Sequence, residues 1–217
     1  MTTTAEASMC PLCDTTSGVP YASWRERRYL HCENCDLVWL DPAQRLNPAA
    51  ERTYYATHEN DPRDPGYRRF LSRAAEPLLA RLAPGSHGLD YGCGPGPALA
   101  YMLQEAGHTM ALYDPYFAPA QAALERQYDF VTCTETAEHF HNPGAEFRKL
   151  DSLLRPSGWL VVMTGFRPEK ERFANWHYVR DPTHVSFYSE KSLAWLAELF
   201  EWEMQVPAKN VVLFRKG

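Results

Sequence analysis

The run His87-Gly88-Leu89-Asp90-Tyr91-Gly92-Cys93-Gly94-Pro95-Gly96-Pro97 limits the fold of this chain more than any other segment. A short strand ends at Asp90 or Tyr91. Glycines at 92, 94 and 96 then allow a tight turn that a ligand can approach closely, and Pro97 suits the first turn of a helix. That helix, over residues 98–106, is closed by Gly107 just past its end. Strand, glycine turn and helix in this order open an α/β sheet whose ligand lies beyond the carboxyl ends of its strands. Two residues narrow the ligand. A dinucleotide turn carries glycine or alanine three residues after its second glycine, where this chain has Pro97. Asp90, two residues before the first glycine, is of little use to a pyrophosphate but suits a ligand bearing an ammonium and a sulfonium. The phosphate-cradling G-x-x-x-x-G-K-[ST] pattern is absent.

Upstream, Cys10-Pro11-Leu12-Cys13 and Cys32-Glu33-Asn34-Cys35 are separated by eighteen residues, the spacing of a structural zinc site. Two residues between paired cysteines let a turn aim both sulfurs at one ion, and four thiolates close a tetrahedron with no position left for water. The expected metal at Cys10, Cys13, Cys32 and Cys35 is a structural Zn2+. Residues 28–31 and 37–40 read as short strands of a hairpin, which makes residues 1–41 a zinc ribbon. Cys93 and Cys133, on strand ends, read as small packing residues.

Of the 217 residues, 45% are apolar and 23% charged, the balance of a globular protein rather than a disordered one, and the length fits one domain with a small appendage. The net charge of −5 suits a nucleic-acid binder poorly, because such affinity comes largely from neutralising phosphates. Arg25, Arg27 and Arg28 form the one basic cluster that counters this. No run of about eighteen apolar residues is present to span a membrane. Residues 1–9 lack the basic start and apolar core of a signal peptide, so the thiols read as reduced and the protein as cytoplasmic.

Residues 42–66, rich in Pro, Asp and Asn, read as a linker or lid, with Tyr54, Tyr55 and His58 giving it more aromatic and titratable character than a spacer needs. From Tyr67 to Leu82 apolar residues recur at helical spacing, and Pro77 is expected to bend that helix. Residues 109–114 read as a second strand ending on Asp114, 24 positions beyond Asp90, where a carboxylate can accept both ribose hydroxyls. A helix capped by Ser189 should follow over 190–199, then a terminal hairpin over 200–206 and 210–215.

Taken together these segments resemble the class I S-adenosylmethionine-dependent methyltransferases. Residues 89–96 match the first motif of that family, Asp114 its second-strand acid, residues 128–135 its fourth motif, and 154–163 the turn and strand of its fifth. The stretches TETAEHFHNP (134–143) and RDPTHVSFYS (180–189) are similar to the bacterial group of ubiquinone-pathway O-methyltransferases. The resemblance covers residues 67–217 and implies a doubly wound α/β sheet of the seven-stranded methyltransferase type, its last strand antiparallel. Only fourteen residues separate Asp114 from Asp129, too few for the usual helix, strand and helix. The third strand is therefore expected to be short or missing, with one helix over 117–126. The family's adenine-side acid then has no counterpart, and Tyr113, Pro115 and Phe117 are the nearest residues. The resemblance implies S-adenosylmethionine held by Asp90, Tyr91, Gly92, Cys93, Gly94 and Gly96 of the turn, by Asp114 and Pro115, and by Thr134 and Glu135.

Methyl transfer is an in-line displacement at a sulfonium carbon, so alignment supplies much of the rate, and a hydroxyl or amine acceptor must also lose a proton. Glu135 and His139 are implied to face cofactor and acceptor. His139 is the first candidate base, histidine being the side-chain type suited to proton transfer near neutral pH; His184 in Asp181-Pro182-Thr183-His184 is the second, and His141, before Asn142-Pro143, reads as exposed. The connection over 167–188 is long enough to be functional. Its aromatics, interleaved with His and Arg, suit a ring-bearing or anionic small-molecule acceptor. Two other readings stand beside this one: an RNA or protein acceptor recognised through the ribbon, and a catalytically inactive, zinc-dependent interaction protein. An NAD oxidoreductase is disfavoured by Pro97 and Asp90.

Overall fold

The computed structural model describes residues 8–57 and 61–217; residues 1–7, part of the segment read for a signal peptide, and His58 lie outside the described residues. The cysteine-bearing region forms β1 (Gly18–Trp24), β2 (Arg27–Cys32) and β3 (Val38–Leu40), paired antiparallel in that order. Two helices follow. α1 (Pro48–Tyr55) starts on Asn47, whose side chain accepts from Ala50 N, with Pro48 at the first helical position. α2 (Pro65–Leu79) starts in the same way on Asp64. The helical spacing ran on to Leu82, but Pro77 offers no N–H to the carbonyl four residues back, and α2 ends at Leu79.

The main sheet comprises β4 (His87–Tyr91), β5 (Thr109–Tyr113), β6 (Tyr128–Thr134), β7 (Leu154–Met163), β9 (Glu203–Ala208) and β10 (Val211–Arg215), in the order β5-β4-β6-β7-β10-β9. The first four are mutually parallel, and β10 runs antiparallel to both its neighbours. This is the seven-stranded order with its third strand missing: β5 is the edge, and between it and β6 lie an Asp114–Ala118 bridge and a 3-10 turn, Gln121–Glu125. The single helix expected over 117–126 does not form. Pro119 disfavours the helical conformation at Ala118 before it, and the Asp114–Ala118 bridge takes up the backbone groups that would start the helix.

Helices cover both faces. α2 and α3 (Ala98–Glu105) lay Leu71, Leu78, Leu99 and Leu103 against Phe130, Val161, Met163 and Leu213. α4 (Pro143–Leu153) and α6 (Glu190–Phe200) bury Phe147, Leu150, Leu193 and Leu196 on the opposite face, in one cluster with Cys10, Leu12, Cys35 and Trp39 of the ribbon. α6 carries a capping box between Ser189 and Ser192. Cys93 and Cys133 are both buried.

The connection after β7 is not a plain loop. It holds α5 (Lys170–Phe173), a 3-10 turn at His177–Arg180, and β8 (Ser186–Phe187), which pairs antiparallel with β3 and completes a four-stranded ribbon sheet. Its aromatics pack there: Phe173 and Phe187 meet Tyr29 edge-on at 5.1 and 5.5 Å. Arg167, only 10% exposed, reaches Asp36 of the ribbon at 2.6 Å.

Candidate active site

The glycine turn is held where β4 and β5 end. Gly92 and Cys93 donate to the Tyr113 carbonyl at 2.8 and 3.2 Å, and Gly94 N donates to Asp114 Oδ2 at 3.1 Å. Gly92 and Gly94 have φ of +78° and +62°, the left-handed region that glycine enters at no steric cost. The other Asp114 oxygen accepts from Tyr116 N and Phe117 N at 2.8 and 3.0 Å, so its carboxylate is fixed at the rim of the turn. Asp90 lies beneath, buried, and accepts from Thr132 Oγ1 at 2.7 Å. Burial, aided by the charge of Asp114, pushes its carboxyl up to about 6.

Beyond β6, Glu135 stands at φ +49°, its N–H donating to the Met163 carbonyl at 2.7 Å. Burial and the nearby charge of Glu138 push its carboxyl up to about 9. Glu138 is fully enclosed: one oxygen accepts from Thr164 Oγ1 at 2.8 Å, the other from the Tyr178 hydroxyl. The glycine turn, Asp90, Asp114 and Glu135 surround a cavity of about 510 Å³. Asp90, Tyr91, Gly92, Cys93, Gly94, Gly96, Asp114, Pro115, Thr134, Glu135 and His139 all line it. His184 does not. It is buried behind His139, ring centroids 4.9 Å apart, with its Nδ1 at 2.8 Å from the Tyr178 carbonyl. Burial lowers its pKa. His139 places Nδ1 3.1 Å from the Thr183 carbonyl and meets the Tyr55 ring edge-on.

Several wall residues were not among the site residues expected from the sequence, Glu51 and Tyr116 among them, and His141, expected to be exposed, is also in the wall. The roof is α1, which contributes Pro48, Glu51 and Tyr55. Glu51 is buried, and its carboxylate takes His141 Nε2 at 2.6 Å and the Tyr116 hydroxyl at 3.3 Å. Residues 42–66 read only as a linker or lid, and nothing in that composition marks which face of α1 is covered.

Away from this cavity, Cys10, Cys13, Cys32 and Cys35 bring their sulfurs within 4.8 Å of one another. Cys10 and Cys35 are 3.5 Å apart, as are Cys13 and Cys32, and all are free thiols. The separations are far above a disulfide bond length and fit four ligands around one ion. Thr15 and Ser17 direct hydroxyls at Cys13 and Cys32, at 3.0 and 2.9 Å. The hydrogen bond from Cys35 draws the Cys10 thiol down to about 6. In the basic cluster, Arg27 donates to the Val179 and Asp181 carbonyls and Arg28 pairs with Asp41 at 2.7 Å.

Comparison with known proteins follows this geometry. The Methyltransferase domain family matches residues 63–205. In sequence, a ubiquinone biosynthesis O-methyltransferase of Leptothrix cholodnii is 36% identical over 61 residues, which is 28% of this chain and 26% of that enzyme. In structure, the 1,6-didemethyltoxoflavin-N1-methyltransferase of Burkholderia thailandensis, solved with 1,6-didemethyltoxoflavin and S-adenosylhomocysteine bound, aligns over 91% of this chain and 98% of its own, with TM-score 0.54 and 20% identity. A Pyrococcus horikoshii OT3 protein aligns over 76% of this chain and 99% of its own, with TM-score 0.50 and 14% identity. No helix among the described residues is long and apolar enough to cross a membrane. A family match over more than half the chain, on the sheet order and glycine turn described above, places it: the chain belongs to the methyltransferase domain family, among the class I S-adenosylmethionine-dependent methyltransferases that its motifs resemble.

Proposed function

We propose that this protein transfers the methyl group of S-adenosylmethionine to a small-molecule hydroxyl or amine in the cavity roofed by α1. The observation that carries the reading is the meeting of the glycine turn, Asp114 and Glu135 around one cavity. A Cβ at position 94 would meet nothing within 4 Å, so the turn leaves room for a ligand against its backbone. Asp114 would take the ribose, and Asp90 and Glu135 would answer the positive charge of the cofactor. The bound cofactor supplies an electrophilic methyl on sulfur; the chain's own groups align the acceptor, exclude water and take a proton. His139 faces the cavity, and His184 supports it from behind.

The four cysteines are proposed as a structural zinc site, the donor set and spacing of the sulfurs being those of a closed tetrahedron. Residues 1–41 would then be a ribbon, 42–66 a roof over the acceptor, and 67–217 the cofactor domain, in an intracellular protein with reduced thiols. A nucleic-acid acceptor is disfavoured by the net charge of −5, which leaves the small cluster of Arg25, Arg27 and Arg28 as its main support. One relative is named an O-methyltransferase and one neighbour an N1-methyltransferase, so neither name chooses the acceptor atom.

The test is titration with S-adenosylmethionine, then incubation with isotope-labelled cofactor and a fractionated metabolite extract followed by mass spectrometry. Binding and a labelled small molecule are expected. No binding at high micromolar cofactor would refute the reading.

A further inference from the structure

We propose that His141 takes the proton of the methyl acceptor and that Glu51 positions it for this. The inference rests on the methyl-transfer reading above. His141 lines the cavity, its side chain 39% exposed. Its Nε2 meets Glu51 Oε1 at 2.6 Å. Glu51 is 6% exposed, and its other oxygen accepts from Tyr116. The carboxylate therefore cannot turn away without losing both contacts. A carboxylate at this distance keeps the proton of a neutral imidazole on Nε2 and leaves the lone pair on Nδ1. Nδ1 has no hydrogen-bond partner among the described residues. The backbone is pinned as well, since the His141 carbonyl accepts from Arg45 Nη1 at 2.9 Å.

His139 is the other histidine lining the cavity among the described residues, and its support differs. Its Nδ1 faces the Thr183 carbonyl at 3.1 Å, and its ring is flanked edge-on by Tyr55 and His184. The Glu138 carboxylate stands within 4.8 Å of it, but its oxygens are taken by Thr164 and Tyr178 rather than hydrogen-bonded to the ring. A carbonyl orients an imidazole; a carboxylate also stabilises the imidazolium that forms when the ring accepts a proton. Other ionisable groups lining the same cavity include Tyr55, Tyr116, His139, Glu146 and Lys149, and Arg45 stands at the His141 carbonyl.

In the transfer, the acceptor's O–H or N–H gives its proton to His141 Nδ1. The freed electron pair bonds the methyl carbon, and the bond from that carbon to sulfur breaks with its pair kept by sulfur. Glu51 neutralises the imidazolium, which later returns the proton to water.

Two measurements on the full chain decide the assignment. In protein carrying 15N-histidine, neutral His141 should be the Nε2–H tautomer. An Nδ1–H tautomer overturns the pairing whatever the activity. The second is labelled methyl transfer from S-adenosylmethionine into a fractionated metabolite extract across pH. His141→Gln should slow it by about a hundredfold or more. Glu51→Gln should slow it about tenfold, with Glu51→Asp restoring most of the rate. Loss of the acid limb of the profile in His139→Gln and its survival in His141→Gln overturns the assignment. A wild type that binds S-adenosylhomocysteine by calorimetry but transfers no label defeats the methyl-transfer reading and this role with it, and leaves the tautomer to report the pairing alone.

Discussion

The backbone N–H of Gly144 donates to the Pro11 carbonyl at 3.0 Å, which seats the first cysteine knuckle on the opening turn of α4. A Cβ at 144 would stand 2.6 Å from the Leu12 carbonyl oxygen and 3.2 Å from that of Pro11. Both are backbone atoms of a turn closed by Asp14 N on the Cys10 carbonyl at 3.0 Å, so neither can retreat alone. Gly144→Ala should destabilise the protein by about 1–3 kcal/mol, at about 2–4 °C of Tm per kcal/mol for a chain of this size. Scanning calorimetry measures it. An unchanged Tm would mean that the knuckle is not fixed to α4.

Metal loss should be felt across the same contact. Cys10, Cys32 and Cys35 belong to the buried cluster that also contains Phe147 and Leu150 of α4, so the ion would brace part of the main core as well as the ribbon. Metal analysis should find about one zinc per chain, lost in Cys10→Ser or Cys32→Ser, and chelation should lower Tm by at least about 5 °C. A metal-free protein of full stability would refute the site.

What could be read from the sequence divides along the range of the interactions. The glycine turn, the Ser189 cap and the cysteine knuckles each rest on contacts within a few residues, and each lies where its local pattern indicated. A short or missing third strand followed from the fourteen residues between Asp114 and Asp129, set against the usual topology of the family. β8 could not be read: a two-residue strand has no periodicity, and Ser186-Phe187 becomes one only because Val38-Trp39 lies beside it. Glu51 was hidden for the same reason. An eight-residue polar helix does not declare its buried face, and Glu51 is covered because His141, 90 positions later, comes to meet it. His184 could be recognised as part of a motif, but the motif does not say that it stands behind His139 rather than in the cavity.

Cofactor binding should depend on pH through Glu135 and Asp90, raised to about 9 and about 6 by burial. A carboxyl that ionises less readily folded than unfolded weakens the ligand-free fold as pH rises, for Glu135 from its usual 4.5 to about 9. A positively charged ligand favours both carboxylates. Binding near neutral pH should therefore release protons, and affinity should climb as pH passes from about 6 to about 9. Calorimetry in buffers of different ionisation enthalpy counts the protons. Glu135→Gln should abolish most of that release and weaken cofactor binding by about tenfold to a hundredfold, while stabilising the ligand-free protein at alkaline pH. Affinity flat across this range would remove both carboxyls from the cofactor site.

Gly92 and Gly94 should separate under the same substitution, because only one has a protein atom where a Cβ would go. At Gly92 a Cβ would fall 2.2 Å from Thr136 Cγ2 and 2.5 Å from its Oγ1. That hydroxyl is already committed to the Gly92 and Thr134 carbonyls at 3.1 and 3.0 Å. Gly92→Ala must therefore displace the loop after β6, and with it Glu135 and His139; we expect Tm and cofactor affinity to fall together. At Gly94 a Cβ meets nothing within 4 Å, so the fold bears only the left-handed backbone penalty of about 1–2 kcal/mol. The added methyl stands in the space reserved for a ligand against the turn. Gly94→Ala should weaken S-adenosylhomocysteine binding by more than about tenfold while lowering Tm by only a few degrees. Equal affinity in wild type and Gly94→Ala would show that the cofactor does not lie against this turn.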